Sequence, residues 1–359
     1  MTQLETLIQT LCPNGVKMVK LGDVAKISRG VVLSKSYIAD NAGEYPVYSS
    51  QTENNGCLGY INTYAYDGDF ITWTTDGANA GTVFYRTGKF SITNVCGLIK
   101  IENPNICLKF IYYVLSVSAQ KYVNRGMGNA KLMSNVMAEI QIPLPPSAVQ
   151  SEIVRLLDKF TLYKSELAAE LAARCKQYEH YRNQLLTFDE NTKRVKLGEV
   201  AKIKNGKDYK KFGSGLIPVY GSGGIMTYID TFVYDAPSVL IPRKGSLSNL
   251  FYVDTPFWNV DTIFYTEINN AVVLPKFLFY ILQNMHLETL NKAGGVPSLT
   301  QDILNRVEFS LPPLEVQERI VAILDRFDAL CNDIKIGLPA EIELRQKQYE
   351  HYRDKLLTF

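Results

Sequence analysis

The sequence predicts an α/β (α+β) molecule: two mixed, strand-rich domains separated by two long helices that pair as an antiparallel coiled coil, the whole built as an internal repeat with a pseudo-twofold axis. Three observations carry this. First, whole phrases return after a long interval. Gln177–Phe188 reads QYEHYRNQLLTF and Gln348–Phe359 reads QYEHYRDKLLTF, differing only at Asn183/Asp354 and Gln184/Lys355. Lys20–Gly30 (KLGDVAKISRG) returns as Lys196–Gly206 (KLGEVAKIKNG), and Pro46–Ser50 (PVYSS) as Pro218–Ser222 (PVYGS). Leu144-Pro145-Pro146 with Val149-Gln150, Ile153-Val154 and Leu157-Asp158 returns as Leu311-Pro312-Pro313 with Val316-Gln317, Ile320-Val321 and Leu324-Asp325. Offsets of 167 to 176 residues are those of a duplicated domain, not a solenoid. Second, each half opens with short apolar runs punctuated by Gly, Asn and Asp. Third, each half closes on a stripe of apolar residues at heptad spacing.

In chain order, residues 1–19 form an N-terminal segment and 20–146 the first globular domain. Its strand signals are Asp69–Trp73 and Gly81–Tyr85, with turns at Asp67-Gly68 and Asp76-Gly77, and Leu108–Leu115 (LKFIYYVL) reads as a helix. Residues 147–190 form the central helical region. Its seam runs Val149, Ile153, Leu157, Phe160, Lys164, Leu167, Leu171, Arg174, Tyr178, Tyr181, Leu185 and Phe188, alternating steps of four and three after the first. Residues 191–313 repeat the globular pattern, with strands at Ser238–Ile241 and Leu250–Val253 and a helix at Pro275–Leu282 (PKFLFYIL). Residues 314–359 carry the second seam: Val316, Ile320, Leu324, Phe327, Cys331, Ile334, then Ile342, Arg345, Tyr349, Tyr352, Leu356 and Phe359. Gly337-Leu338-Pro339 interrupts it and predicts a helix break. Two similar helices in one chain can pair antiparallel, and one of ~40 residues would be a ruler ~60 Å long.

Bulk properties narrow the function. The 359 residues are 46% hydrophobic and 21% charged, ordinary for a globular protein. No stretch reaches 18 uncharged apolar residues, and the N-terminus lacks a signal-peptide pattern. Six cysteines without a CxxC pair then indicate reduced thiols in a cytoplasm. Net charge is only +2, and Lys20–Pro146 holds 11 basic against 9 acidic residues, Lys196–Pro313 11 against 10. Neither segment has the basic excess of a stand-alone nucleic-acid binder, so DNA binding would draw part of its phosphate attraction from a partner. The cluster Lys202, Lys204, Lys207, Lys210 and Lys211 is a local exception.

Catalytic signatures are scarce. Three histidines form no metal motif: His180 and His351 fall between seam positions, and His286 has no metal partner in sequence. Gly81–Lys89 lacks the Walker A spacing, and Phe90 stands where Ser or Thr is needed. Asp208-Tyr209-Lys210 resembles part of a nuclease signature, but such a tripeptide arises often by chance. Polar loops are the better lead, because they fall where the repeated frame diverges. In the first domain they present Ser50, Gln51, Thr75, Asn79, Asn129 and Lys131; in the second, Lys204, Lys207, Ser222, Arg243, Lys244, Ser246 and Ser298. Gln, Asn, Arg and Lys read base edges bidentately, while Ser and Thr suit phosphates. Ordinary turn chemistry accounts for each loop taken singly.

Taken together, two units opened by KLG(D/E)VAKI and closed by LPPxxVQxxIVxxLDxF, with helices ending in QYEHYR..LLTF, resemble the specificity subunit of a type I restriction–modification enzyme across essentially the whole chain. The Leu11–Val16 segment is also similar to that family. The resemblance implies that each globular unit is a target recognition domain reading one half of a bipartite double-stranded DNA sequence. The paired helices would fix the spacer between half-sites. The subunit itself would be non-catalytic and hold no cofactor. It would recruit two modification subunits, which methylate adenine with S-adenosylmethionine, and two restriction subunits, which use ATP and Mg²⁺. Leu157, Phe160, Tyr178, Tyr181, Arg182 and Leu185, with Leu324, Phe327, Tyr349, Tyr352, Arg353 and Leu356, would serve helix pairing or partner docking. Lys164–Leu171 reads as two four-residue units, KSEL and AAEL, of the kind that family repeats in its central region. Two readings from other classes stay open at this point: a duplicated coiled-coil scaffold that assembles proteins without touching DNA, and a free-standing nuclease or methyltransferase.

Overall fold

The structure is a computed structural model describing residues 3–126, 128–291, 297–332 and 337–359. The chain divides into two compact units, one formed by residues up to 166 together with 342–359, the other by 167–341.

In the first unit, α1 (Gln3–Leu11) precedes β1 (Met18–Lys20), the short α2 (Leu21–Val24), β2 (Lys26–Arg29) and α3 (Lys35–Asp40). There follow β3 (Ala42–Tyr48), β4 (Cys57–Ile61), β5 (Tyr66–Asp67), β6 (Phe70–Thr74), β7 (Val83–Arg86), β8 (Lys89–Ile92) and β9 (Cys96–Lys100). Then come α4 (Leu108–Ser118), α5 (Ser134–Ala138), β10 (Gln141–Pro143) and α6 (Ser147–Leu185), whose residues from Leu167 on belong to the second unit. Strands β2-β9-β6-β7 form one sheet, β4-β3-β8-β5 another, and β1-β10 a third. All five residues of β6 (FITWT) are buried, the mark of a strand covered on both faces. At its centre Trp73 lies flat on the neighbouring strand. A Cβ at Gly97 would fall 2.2 Å from the indole, so only glycine admits the ring.

The second unit repeats this order with β11 (Arg194–Lys196), α7 (Leu197–Val200), β12 (Ala201–Asn205), β13 (Ser214–Gly221), β14 (Gly224–Ile229), β15 (Ser238–Pro242), β16 (Phe251–Val253), β17 (Trp258–Asn259) and β18 (Ile263–Ile268). Helices α8 (Pro275–Asn284) and α9 (Gln301–Asn305), strand β19 (Glu308–Ser310) and helix α10 (Leu314–Asn332) complete it. Its sheets run β12-β18-β15-β16, β14-β13-β17 and β11-β19. Even the irregularities recur. The β3–β4 pair shifts register between Ala42 and Tyr45 and again after Val47, and the β13–β14 pair shifts between Ser214 and Ile217 and again after Val219. Each unit is therefore mixed α and β, as the sequence predicts.

Helix α6 runs 39 residues with no internal Gly or Pro, so nothing in its backbone interrupts it. The second helical region is not one helix. Helix α10 ends at Asn332 and α11 spans Leu338–Leu357, next to the Gly337-Leu338-Pro339 interruption. Of the predicted seam, Val149, Ile153, Leu157, Leu167, Tyr178, Ile320, Leu324 and Cys331 are buried. Val316 is 37% exposed, although Val149 at the matching place is buried, and Gln317 beside it is buried at 0%. Ile334 lies outside the described residues. Phe188 lies past the end of α6 and packs on Phe277, ring centres 6.3 Å apart, while Phe359 lies past α11 and is exposed. The helices do pair antiparallel within each unit: Phe160 stacks on Tyr352 while Lys164 reaches Gln346, and Tyr181 stacks on Phe327 where α6 meets α10.

Candidate nucleic-acid interface

The seating of each sheet on its helix is built twice from the same atoms. Gln150 is buried at the start of α6. Its Oε1 accepts the Cys107 N–H at 2.8 Å and its Nε2 donates to the Pro145 carbonyl at 2.7 Å. Gln317 does the same with Leu274 N–H (2.8 Å) and Pro312 O (2.8 Å). Two turns further on, Asp158 accepts from Lys109 Nζ at 2.7 Å and from the Tyr113 hydroxyl at 2.5 Å. Asp325 accepts from Lys276 at 2.7 Å and Tyr280 at 2.6 Å. Burial first, then the bond to the carboxylate, raises the pKa of both tyrosines. These four acceptors lie inside the repeated VQxxIVxxLD phrase. The repetition was visible, but the anchoring role was not, because the partners sit about 45 residues away.

With the frames fixed, the loop tips are closed by equivalent main-chain bonds. In the first unit Thr75 O accepts Leu132 N at 2.9 Å, Gly77 N donates to Ala130 O at 3.0 Å, and Asp76 bridges Lys131. In the second, Arg243 O accepts Leu299 N at 2.9 Å, Gly245 N donates to Pro297 O at 3.2 Å, and Lys244 bridges Ser298. Position by position, Thr75 corresponds to Arg243, Asp76 to Lys244 and Lys131 to Ser298. The frame is the same and the side chains differ.

In the first unit Asn79 donates to Thr52 Oγ1 at 3.0 Å, which joins the turn carrying Ser50 and Gln51 to the turn carrying Asn79. Trp73 Nε1 donates to Leu132 O at 2.9 Å and pins the strand end that presents Lys131. Lys131 and Asn129 are exposed. Thr75 corrects the sequence reading. It is 0% exposed and its hydroxyl donates to Asp76 Oδ2 at 2.6 Å, so it braces the loop from inside. Arg29, which the sequence reading passed over, lies here instead: its Nη2 is 3.5 Å from Asp76 Oδ2 and 3.3 Å from Thr75 Oγ1. No repeat signal marked it, since Asn205 stands at the matching place.

In the second unit Ser222, Arg243, Lys244 and Ser298 come together. Arg243 N donates to Thr262 O (2.8 Å), Ser222 N to Thr262 Oγ1 (3.3 Å), and Asn249 Nδ2 to Ser222 O (3.3 Å). Lys244 and Ser246 are exposed, and neither Arg243 nor Lys244 forms an ion pair among the described residues. Lys204 and Lys207 are not joined to this group by any hydrogen bond or ion pair among the described residues. Lys204 lies on β12 with its ammonium 3.6 Å from Glu267, and Lys207 is tied by its backbone to Asn259 and Trp258.

The helix residues divide by depth. Leu157 and Leu324 are fully buried in the cores of their own units. Phe160 and Tyr352 stack at 5.4 Å, Tyr181 and Phe327 at 5.5 Å, and Tyr178 lies 6.3 Å from Phe327. Arg182 and Arg353 lie over Tyr178 and Tyr349 at 5.5 and 5.6 Å. Tyr181 (38%) and Tyr352 (44%) stay partly exposed. Each borders a shallow apolar groove: about 410 Å³ among Leu4, Ile8, Leu156, Phe160, Tyr352 and Leu356, and about 560 Å³ among Tyr181, Leu185, Ile323 and Phe327. Among the described residues, no three His, Cys, Asp or Glu side chains are placed to hold a metal ion. No described helix is long and apolar enough to cross a membrane.

Comparison with known proteins adds a consistent set of matches. A family model described as "Type I restriction modification DNA specificity domain" matches twice, over residues 13–177 and 189–344. A chain of Mycoplasma pneumoniae named as a type I specificity subunit is 33% identical over 96% of this chain and 98% of its own length. The crystal structure of the type I restriction–modification system S subunit from M. genitalium matches with a TM-score of 0.64 at 19% identity, covering 96% of this chain and 97% of that one. A structure from work on complex assembly and conformational transition of the type I R-M system matches at 0.65 and 15% identity, covering 96% and 98%.

Proposed function

This chain belongs to the type I restriction–modification DNA specificity family, and on that premise we propose how its two target recognition domains divide the task of recognition. The domain of the first unit reads one half of a bipartite DNA target through Gln51, Asn79, Asn129 and Lys131, braced by Thr75 and Arg29. The domain of the second reads the other half through Ser222, Arg243, Lys244, Ser246 and Ser298. One observation carries this reading: equivalent main-chain bonds close the loop tips in both units, yet the side chains they carry differ at Thr75/Arg243, Asp76/Lys244 and Lys131/Ser298. A repeated frame with divergent tips suits two different sequences read by the same geometry. Lys204, held by Glu267, and Lys207 are assigned to phosphates rather than bases.

Members of this family confer specificity rather than catalysis, and we assign the chemistry to partners. The apolar grooves beside Tyr181 and Tyr352 are the assigned docking sites for two modification subunits, which would bring S-adenosylmethionine; two restriction subunits would bring ATP and Mg²⁺. That the grooves derive from one repeated sequence supports two copies of one partner. The net charge of +2 agrees with partners supplying part of the phosphate attraction. Co-purification of the chain with its modification subunit, followed by binding to a randomised DNA library at several salt concentrations, tests the proposal. Enrichment of a two-part motif is expected. Assembly with no sequence preference would favour a protein scaffold.

A further inference from the structure

Arg86 ends β7 in the first unit, and only 2% of it is exposed. Its guanidinium carbon lies 3.6 Å from the centre of the Tyr48 ring and 4.3 Å from that of Phe84. Nε donates to Thr72 Oγ1 at 3.2 Å, and Nη1 has no hydrogen-bond partner among the described residues. Burial acts on it first, and the ionisable groups acting most strongly after that are Tyr48, Cys96 and Cys57, none a carboxylate. The two rings offset part of the desolvation, but a buried charge with an empty donor position and no counter-ion is unfavourable for folding.

The second unit shows that the frame does not require this charge. The strand registers pair Tyr48 with Tyr220 and Phe84 with Phe251, which conserve the aromatic walls. The same registers pair Thr72 with Leu240, Arg86 with Val253 and Cys96 with Ile263, all three buried and apolar. What differs is the turn connecting the first two strands of the neighbouring sheet. In the second unit, Gly221 pairs directly with Gly224. In the first, the chain makes a longer excursion from Ser49 to Gly56, closed by Ser49 N donating to Gly56 O at 3.0 Å and by Gln51 Nε2 donating to Cys57 O. Three successive residues of it, Asn54, Asn55 and Gly56, have left-handed backbones (φ 48, 53 and 75°). Such a run persists only where its surroundings hold it. Arg86 lies directly beneath: a Cβ at Gly56 would meet Arg86 Nη2 at 3.0 Å and Gln51 O at 3.1 Å.

We infer that Arg86 is a positioning residue for recognition of the first half-site, its guanidinium forming the floor that sets how the Ser49–Gly56 turn presents Gln51 and Thr52 to DNA. This rests on the assignment of that turn to base reading made above. Two variants test it in the full chain assembled with its modification subunit: Arg86→Met, and the pair Arg86→Val with Thr72→Leu, which copies the core of the second unit. Thermal unfolding and selection from a randomised DNA library are measured together. The expected result is an unchanged or higher unfolding temperature, with discrimination falling about tenfold or more at one or more positions of the first half-site and the second half-site intact. Failure of both variants to fold would make Arg86 a structural residue and overturn the inference. So would folded variants with the first half-site unaltered. If the parent chain itself selects no two-part motif, it is the assignment of the turns to bases that fails, and Arg86 loses the role with it.

Discussion

The Tyr113 hydroxyl donates a 2.5 Å hydrogen bond to Asp158, 45 residues later in the chain, and through that bond the helix under the first recognition sheet is fastened to the helix that leaves it. Lys109 completes the arrangement on the other carboxylate oxygen at 2.7 Å. Asp158→Ala removes both bonds at once. It is expected to destabilise the first unit by about 1–2 kcal/mol, since the group is partly exposed and a charged hydrogen bond contributes more than a neutral one. Asp325→Ala should do the same in the second unit. Urea unfolding of each variant checks this, and midpoints equal to the parent's would show the pair to be incidental.

Gln150 is the deeper anchor, 1% exposed, and its removal strands a main-chain donor and an acceptor. Gln150→Ala is expected to cost more than Asp158→Ala, about 1–3 kcal/mol for each stranded group before relaxation. Gln150→Glu should also destabilise, because it replaces the donor to Pro145 O with a second acceptor. A variant as stable as the parent would mean that water substitutes for the amide.

Alkaline sensitivity has a defined sign. Burial, and next the nearby Asp328, push the Tyr178 phenol up to about 12, against 10.0 ordinarily. The protonated form is favoured in the folded state, so its contribution is fully present below about pH 10 and lost as pH rises from there through 12. Tyr178→Phe removes the titrating group. Its stability should fall less steeply than the parent's between pH 9.5 and pH 11.5. Parallel curves in urea titrations across that window would contradict the assignment.

Much of this architecture was legible in the sequence. The duplication was spelled out in QYEHYR and in KLG(D/E)VAKI, and Gly337-Leu338-Pro339 marked the place where a separate helix, α11, begins at Leu338. Heptad spacing found the helices but misassigned Val316, which is exposed while its counterpart Val149 is buried, and it passed over Gln150 and Gln317, because a polar core residue is invisible to an apolar pattern. Thr75 looked like a reader from composition alone. Only the strand pairing that buries it at the end of β6 reveals that its half-buried counterpart is Arg243 in the other copy. Arg29 and Arg86 could not be singled out, since their relevance comes from Thr75, 46 residues away, and from the Ser49–Gly56 turn folding against them.

Lys131 and Arg243 should separate two kinds of contact. Arg243→Ala is expected to relax one base position of the second half-site at a cost of ~1–3 kcal/mol, as for a bidentate contact to guanine, with the first half-site untouched. Lys131→Ala is expected to affect only the first half-site. Equal weakening on every sequence would make either residue a phosphate contact, recognisable by a salt dependence shallower by about one charge.

Spacer length should follow the four-residue units of α6. Inserting one more AAEL after Leu171 adds ~6 Å of helix. The gap between half-sites is expected to lengthen by about a base pair or two, with both half-site sequences kept. An unchanged gap would remove the ruler role from this helix.

The most direct test of the central claim is genome-wide adenine methylation in cells expressing the full chain with its modification subunit, compared with two variants: alanine at Gln51, Asn79 and Lys131, and alanine at Ser222, Arg243 and Lys244. The account predicts a two-part motif for the parent, with each variant degrading one half and sparing the other. One contiguous motif, both halves degraded by either variant, or no methylation from a fully assembled complex would contradict it.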